Sequence, residues 1–331
     1  MNKEPRLQGG YVMLPFRLTP AFKDYLWGGT KLKEEFHKQT ALGRVAESWE
    51  LSAHPDGDSI IADGEYSGTK FSEFVKQFPE ILGSRCSIHT KFPLLVKLID
   101  AKQPLSIQVH PDDAYALRNE NGLGKTEMWY ILSAEPGAFL YFGCRKEISQ
   151  EEMRRRLSDG TVTDILEKMP VKKGDVFFIP AGTIHAIGAG ILLAEIQQNS
   201  NTTYRVYDYG RLGADGKPRT LHLEKALEVA DLRPARADAP NAAELEKTAG
   251  YSVRRLARCD YFNVEEVALD GRYTRKMEDG SFVFILCTDG TAKIGCNSAE
   301  RTIFKGGNLF IPCCYSGFTM SGRGSFLFIT L

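Results

Sequence analysis

Lys173-Gly174-Asp175-Val176-Phe177-Phe178-Ile179-Pro180 recurs downstream as Lys305-Gly306-Gly307-Asn308-Leu309-Phe310-Ile311-Pro312. Each copy is a Gly-containing turn, a short apolar run and a closing proline, which reads as a turn leading into a buried strand. Upstream of each lies a second echo, Met128-Trp129-Tyr130-Ile131-Leu132 against Phe282-Val283-Phe284-Ile285-Leu286. The repetition predicts two β-domains. The first covers residues 1–232, with helical segments around 149–169 and 223–232. A linker rich in Ala, Pro and Asp covers 233–248, and the second domain covers 249–331. On this alignment His185 falls opposite Gly317 and Glu127 opposite Ser281. The second copy therefore lacks the ionisable groups of the first, and any chemistry is expected in the N-terminal copy.

Working outward, most of the chain reads as short strands. Tyr11 to Leu18, Ala41 to Ser52, Phe92 to Ile99 (apolar except for Lys97), Asp175 to Ile179 and Ile191 to Gln197 all fit. Met128 to Leu132 and Ala138 to Phe142 suggest a hairpin around Pro136-Gly137. Helical stretches are Phe71 to Phe78, Asp112 to Asn119 and Leu223 to Leu232. Ser149 to Met169 reads as two short helices, opened by the capping box of Ser149 and Glu152 and broken at Gly160. From Tyr251 onward only strands are expected. Many short strands with Gly/Pro turns indicate a mainly β fold, a pair of jelly rolls rather than a parallel α/β sheet.

Composition narrows the partners. Lys plus Arg and Asp plus Glu number 42 each, so the chain carries no net field for nucleic acid or an anionic membrane. Residues 1–16 contain no secretory apolar core, and no apolar run is long enough to span a bilayer. The seven cysteines are odd in number and show no zinc-ribbon spacing, which fits reduced thiols in a cytoplasmic protein. The adjacent Cys313 and Cys314 read either as small buried apolar residues or as a redox-sensitive pair. A monomer or weak homodimer is expected.

The stretch with the most chemical content is Lys102-Gln103-Pro104-Leu105-Ser106-Ile107-Gln108-Val109-His110-Pro111-Asp112-Asp113. It alternates apolar and polar, so Ser106, Gln108 and His110 share one strand face. That face is either solvated or a Gln-x-His pair presenting an amide oxygen and an imidazole to one point. A second signal is Gly174, five residues, Pro180, one residue, Gly182, two residues, His185, the pattern by which cupins present a metal-binding histidine inside a jelly roll. The asparagine usual four residues later is replaced by Ala189. Gln108, His110, Glu127 and His185 together offer two imidazole nitrogens and two side-chain oxygens, a set suited to zinc. Of the other histidines, His37, His89 and His222 read as structural or solvated, and His54 is the competing ligand.

Pro104 to Asp112, with Lys125-Thr126-Glu127-Met128 and Glu195 through Arg205, resembles the type I phosphomannose isomerases of the cupin superfamily, in their short bacterial form. The resemblance runs from Trp27-Gly28-Gly29 to the final strands and is densest between Lys97 and Arg211. It implies one zinc ion per chain in the N-terminal domain, held by Gln108, His110, Glu127 and His185. It further implies substrate phosphate contacts at Ser106, Arg205 and Arg211, and catalytic roles for Lys125, Glu195 and Arg205. Three positions depart from the family pattern. Gly124 stands for the histidine of a His-Lys-Pro-Glu segment, Thr126 for its proline, and Asn201 for an aspartate common in longer members.

The activity so implied interconverts mannose 6-phosphate and fructose 6-phosphate through a cis-enediol(ate), with a metal ion stabilising the developing oxyanion and a base carrying a proton between C2 and C1. Lys125 is either that base or a fixed positive charge. Glu195 is either the proton carrier or the partner that orients Lys125 or Arg205. Two other readings stand beside it: an iron-dependent cupin dioxygenase with a two-His, one-carboxylate triad, and a non-catalytic sugar-phosphate sensor. Gly124-Lys125-Thr126 mimics the end of a P-loop, but Asn119 stands where the first glycine is needed and a strand follows instead of a helix.

Overall fold

Two antiparallel sheets laid face to face hold the stretch from Leu105 to His110. The computed structural model describes residues 13–213, 216–235, 242–277 and 280–331. One sheet has six strands in the order Val176–Ile179, Glu127–Ala134, Ile191–Gln198, Leu94–Ala101, Glu47–Leu51 and Ala21–Lys23. The other has five, in the order Leu166–Pro170, Phe139–Cys144, His185–Ile187, Ile107–Val109 and Tyr204–Tyr207. Trp129, Ile131, Ile99 and Leu193 from the first meet Leu140, Phe142, Ile187 and Leu105 from the second in one buried cluster. This is the sandwich interior expected of a jelly roll.

Period-two alternation sorts the remaining side chains. In the six-stranded sheet Met128, Tyr130, Leu132, Val96, Leu98, Ala194 and Ile196 face away from the sandwich interior, into a core that also contains Phe262, Phe282, Phe284 and Phe310 of the second domain. Phe16 and Phe310 exchange backbone hydrogen bonds of 3.1 and 2.8 Å, and their rings stack at 5.1 Å. Phe282 stacks on Phe310 at 4.8 Å. The two domains are thus welded through a shared apolar layer; truncating one such Phe to Ala costs about 3–5 kcal/mol.

The second domain is a seven-stranded antiparallel sheet containing Ala243–Lys247, Tyr251–Arg258, Asn263–Lys276, Gly317–Thr330, Val283–Cys296, Ala299–Phe304 and Asn308–Ile311. Among the described residues it has no helix, as expected. The echo is realised as identical pairing: Val176–Ile179 lies beside Glu127–Ala134, and Asn308–Ile311 beside the start of Val283–Cys296. The register differs from the sequence alignment by two residues. Ile179 opposes Glu127 while Ile311 opposes Val283, so Val283, not Ser281, takes the place of Glu127. A shift of two keeps every side chain on its face.

Several expectations are corrected. Glu127–Ala134 and Phe139–Cys144 do not form a hairpin: the turn between them carries the chain from one sheet to the other, so their pairing partners differ. Of the two helices expected in 149–169, only Gln150–Ser158 forms. Its Ser149 cap accepts from the Glu152 amide at 3.2 Å, while the Glu152 carboxylate turns to Arg155 and Arg156 rather than back to the cap. Beyond a 3-10 turn at Val162–Asp164, Leu166–Pro170 is an edge strand whose Lys168 lies over the rings of Phe139 and Tyr141. The strand expected at Tyr11 to Leu18 begins only at Leu18, with 11 and 12 outside the described residues, and Ala41 to Ser52 contracts to Glu47–Leu51. Residues 243–247, expected in the linker, form an exposed edge strand, while 236–241 lie outside the described residues.

Candidate active site

Register places the charged residues in rows. Across the six-stranded sheet Phe177, Trp129, Glu195, Lys97 and Trp49 are successive cross-strand neighbours, and in the next row Ile179, Glu127 and Gln197. Across the five-stranded sheet the row is Phe142, His185, Gln108 and Arg205. Ser106 and His110 flank Gln108 on that face, and Ile107 and Val109 pack behind them. The face read as either solvated or ligating therefore points into the sandwich.

His110, Glu127 and His185 are at most 1% exposed, and their ligand atoms lie within 4.8 Å of one another. His110 Nδ1 lies 2.9 Å from the Thr202 carbonyl, and His185 Nδ1 lies 2.9 Å from the Thr183 carbonyl. A carbonyl only accepts, so both Nδ1 atoms carry the proton and both Nε2 atoms turn a lone pair toward Glu127. Nε2 of His185 is 3.2 Å from Glu127 Oε1, and that of His110 is 3.8 Å from Oε2. Burial, then the ammonium of Lys125, holds the His110 imidazole well below its usual pKa, hence neutral. Burial works against ionising Glu127, but the Lys125 ammonium above all outweighs it and holds the carboxyl well below the usual range.

Both Glu127 oxygens are buried without a well-aligned hydrogen-bond donor, and so is Oε1 of the neighbouring Gln197. The Lys125 ammonium offsets part of this charge, but several buried acceptors facing one point remain costly unless a further cation sits among them. Two imidazole lone pairs and a carboxylate fit a divalent ion of the zinc type. Gln108 presents Nε2 to His185 Nε2 at 3.4 Å; a half-turn of its carboxamide puts Oε1 in the same place. His54, the competing ligand, is not in the cluster; its Nδ1 accepts from the Asp56 amide at 3.1 Å.

Lys125 is 3% exposed and touches three groups: His110 Nε2 at 3.1 Å, Glu127 Oε2 at 2.5 Å and Glu195 Oε1 at 3.7 Å. It precedes the strand, which starts at Glu127, yet its side chain still meets Glu127. Gly124 has a local reason to depart from the family histidine: a Cβ there would lie 2.5 Å from Asp112 C and Asp113 N. Glu195 is fixed at both oxygens, Oε1 by Lys97 Nζ at 3.0 Å and Oε2 by the indole N–H of Trp129 at 2.9 Å. Lys97 also faces Glu47 Oε2 at 3.8 Å, and Trp49 donates to that oxygen at 2.6 Å. Burial opposes its charge, but Glu195 and Glu47 more than compensate and raise the Lys97 pKa.

A cleft of about 270 Å³ opens beside these groups, walled by Lys97, Lys125 and Glu195 on one side and Ser106, Gln108 and Arg205 on the other. Tyr25, Trp27 and Asn201 also reach it. Arg205 donates to Ser106 Oγ at 3.3 Å and to the Thr220 carbonyl at 3.0 Å; burial, then Arg219 and Arg211, lowers its pKa. Arg211 does not line the cleft: it is paired with Asp208 and donates to the Pro104 carbonyl at 2.6 Å. Arg219, which donates to Asp208 at 2.6 and 2.7 Å, lines it instead. Lys97 and Arg219 are the residues that sequence reasoning missed. Lys97 carried a signal, as the one charge in the apolar stretch from Phe92 to Ile99.

The family model for the type I phosphomannose isomerase catalytic domain matches residues 15–127, and that for the mannose-6-phosphate isomerase cupin domain matches 252–331. A probable mannose-6-phosphate isomerase of Bacillus subtilis is 38% identical over 95% of this chain and 98% of its own length. The mannose-6-phosphate isomerase of Streptococcus mutans is 37% identical over 90% and 92%. The crystal structure of a mannose 6-phosphate isomerase from Bacillus subtilis superposes with a TM-score of 0.90 at 34% identity, covering 96% of this chain and all of that one. With full-length relatives above 35% identity and the same two-domain β architecture, the chain belongs to the type I phosphomannose isomerase family.

Proposed function

We propose that this chain interconverts mannose 6-phosphate and fructose 6-phosphate through a cis-enediol(ate), using one zinc ion held by His110, Glu127 and His185, with Gln108 as fourth ligand. The observation that carries the reading is the buried His110, Glu127 and His185 cluster, whose neighbours Gln108 and Lys125 line a cleft that also holds Arg205 and Arg219. A divalent cation held there would act as a Lewis acid toward the oxyanion that develops beside the migrating proton. Ser106, Arg205 and Arg219 offer a hydroxyl and two forked guanidinium groups for the phosphate. Arg211 serves by fixing Asp208, and Asp208 in turn aims Arg219. Trp27 and Tyr25 add aromatic surface to the cleft wall. Lys125 is the group best placed to move the proton, since its amine borders the cleft and reaches Glu195. Glu195 has both oxygens engaged, so its role is to position Lys125 rather than to take the proton itself.

Two histidines and one glutamate also match the ligand set of iron oxygenases; family membership and the arginine-lined cleft favour the isomerase. The test is to supply mannose 6-phosphate, couple fructose 6-phosphate formation to a dye, and repeat after chelation and after adding zinc back. Turnover that vanishes with chelation and returns with zinc is expected. Absence of turnover with zinc present overturns the activity. Retained turnover in a His110→Ala, Glu127→Ala double variant overturns the metal assignment alone.

A further inference from the structure

Lys125 precedes the strand that begins at Glu127, so strand pairing does not fix its backbone. Three consecutive amides are held instead by groups from elsewhere in the chain. Gly124 N–H donates to Asp113 Oδ1 at 2.8 Å, Lys125 N–H to the Pro111 carbonyl at 3.0 Å, and Thr126 N–H to Gln198 Oε1 at 2.8 Å. Gln198 closes the circuit, its Nε2 donating to the same Asp113 Oδ1 at 2.9 Å. The residues before and after Lys125 are thus tied, directly and through Gln198, to one oxygen. The approach is close because residue 124 is glycine, with no Cβ to meet the backbone of Asp112 and Asp113.

The other oxygen of Asp113 is held from the second domain. Oδ2 accepts from the Tyr261 hydroxyl at 3.0 Å. Tyr261 sits in the turn between Tyr251–Arg258 and Asn263–Lys276, where the Cys259 amide donates to the Phe262 carbonyl at 3.0 Å. Phe262, 1% exposed, anchors that turn in the apolar core shared by the two domains. With its neighbour fixed, the Tyr261 ring has a defined place from which to reach Asp113.

We propose that Asp113 is a positioning residue for the isomerase reaction: it holds the segment from Gly124 to Thr126 so that the Lys125 amine stays at the cleft, and Tyr261 of the second domain locks Asp113 in place. The inference rests on the reading of Lys125 as the group that moves the proton. The ammonium end of Lys125 is confined by His110, Glu127 and Glu195, and the latch supplies the fixed point at the backbone end. Misplacing a reacting group by about 1 Å costs about 10²-fold in rate. Neither Asp113 nor Tyr261 is among the residues that line the cleft, so their loss acts on kcat rather than on KM.

The test pairs kinetics with amide exchange, which reads the segment without reference to activity. Asp113→Ala, Asp113→Asn and Tyr261→Phe are each compared with the unaltered chain, in the coupled mannose 6-phosphate assay with zinc and by hydrogen exchange of peptides covering 123–127. Asp113→Ala should lower kcat roughly 10- to 100-fold with KM within about twofold, while Gly124 and Thr126 exchange about tenfold faster or more. Asp113→Asn keeps an oxygen for Gly124 and Gln198, and its amide faces a hydroxyl that can also accept, so kcat should return to within about threefold. Tyr261→Phe should lower kcat and quicken exchange by about two- to tenfold, the worth of one hydrogen bond; it carries the comparison if Asp113→Ala does not fold. Unchanged exchange in whichever of these two folds overturns the latch. Faster exchange with unchanged kcat, a loss that falls on KM, or a loss that Asp113→Asn does not repair overturns the positioning role while leaving the isomerase reading intact. An unaltered chain without turnover overturns that reading, and the positioning role with it.

Discussion

Replacing Lys97 by Met tests the charged row that sequence reasoning overlooked. Lys97 is 4% exposed, 3.0 Å from Glu195 and 3.8 Å from Glu47. Its removal leaves two buried carboxylates short of a counter-charge. At an effective dielectric of about 20, a pair 3 Å apart attracts by roughly 5 kcal/mol, much of it offset by desolvation. Breaking a buried pair from one side costs about 3–5 kcal/mol. Glu195 keeps Trp129 at 2.9 Å and Lys125 at 3.7 Å, and Glu47 keeps Trp49 at 2.6 Å, so the lower end applies. The expected loss is about 3 kcal/mol, seen as a melting temperature lower by roughly 5 °C or more.

The effect on catalysis should separate from that on stability. With Lys97 gone, Glu195 Oε1 loses the contact that fixes it and no longer holds Lys125 in one place, so kcat is expected to fall about 10²-fold through lost orientation while KM changes little. Adding Glu195→Gln removes the stranded charge and should restore most of the melting temperature, but not kcat. Thermal melts and the coupled assay on the single and double variants decide this. A Lys97→Met protein with unchanged melting temperature and kcat refutes the reasoning. So does a double variant that melts no higher than the single one.

Three further outcomes follow from the same contacts. Arg205→Ala and Arg219→Ala should each raise KM for the sugar phosphate about 10- to 100-fold; Arg211→Ala should do so less and mainly lower stability, because Arg211 braces Asp208 and Pro104 outside the cleft. Zinc added to chelated protein should raise its melting temperature, by an amount worth about 2.7 kcal/mol at a hundredfold excess over Kd, and should do nothing for His110→Ala, Glu127→Ala. Asp100, 2% exposed and accepting from the Lys31 amide at 2.8 Å, has its pKa raised by burial to about 6. Its folded form holds the proton more tightly than the unfolded one, so stability is fullest below pH 4 and falls as pH rises through about 6. Asp100→Asn should therefore gain on the unaltered chain between pH 5 and pH 8, by roughly 1 kcal/mol in denaturant melts; an equal gap at both values refutes the shift.

What could be read in advance follows physical range. The alternation at Leu105 to His110 and the repeated Gly-to-Pro strand are local patterns, and both appear as strands. Sheet membership is not local: nothing between Met128 and Phe142 distinguishes a hairpin from a corner between sheets, because both need a Pro-Gly turn between apolar runs. The same limit explains Leu166–Pro170, whose strand exists because Phe139 to Tyr141 offers it an edge. At the site, His110, Glu127 and His185 could be singled out because ligand types are chemically narrow, and the fold does bring the three together. Arg211 and Arg219 are both loop arginines near Asp208, and only the three-dimensional course of residues 204–219 decides which one faces the cleft.

The two sheets divide the labour, and this bears on how the site is held. The five-stranded sheet supplies Ser106, Gln108, His110, His185 and Arg205. The six-stranded sheet supplies Glu127 alone among the candidate ligands, together with Glu195 and Lys97; Lys125 lies just before its Glu127 strand. The proposed metal binding would depend on the distance between the sheets, because Glu127 must cross it to meet two imidazoles from the far side. That distance is set by the large side chains beside them. Trp129 packs edge-on against His185 at 5.3 Å while its N–H holds Glu195, and Phe142 flanks His185 in its own row. The same indole thus packs on one candidate ligand and holds the carboxylate beside Lys125. A rigid sandwich interior, continuous with the core shared by both domains, gives these contacts little room to relax. The second domain then has a structural task at this site even without ligands of its own: its Phe282 and Phe310 back the sheet that carries Glu127 and Glu195.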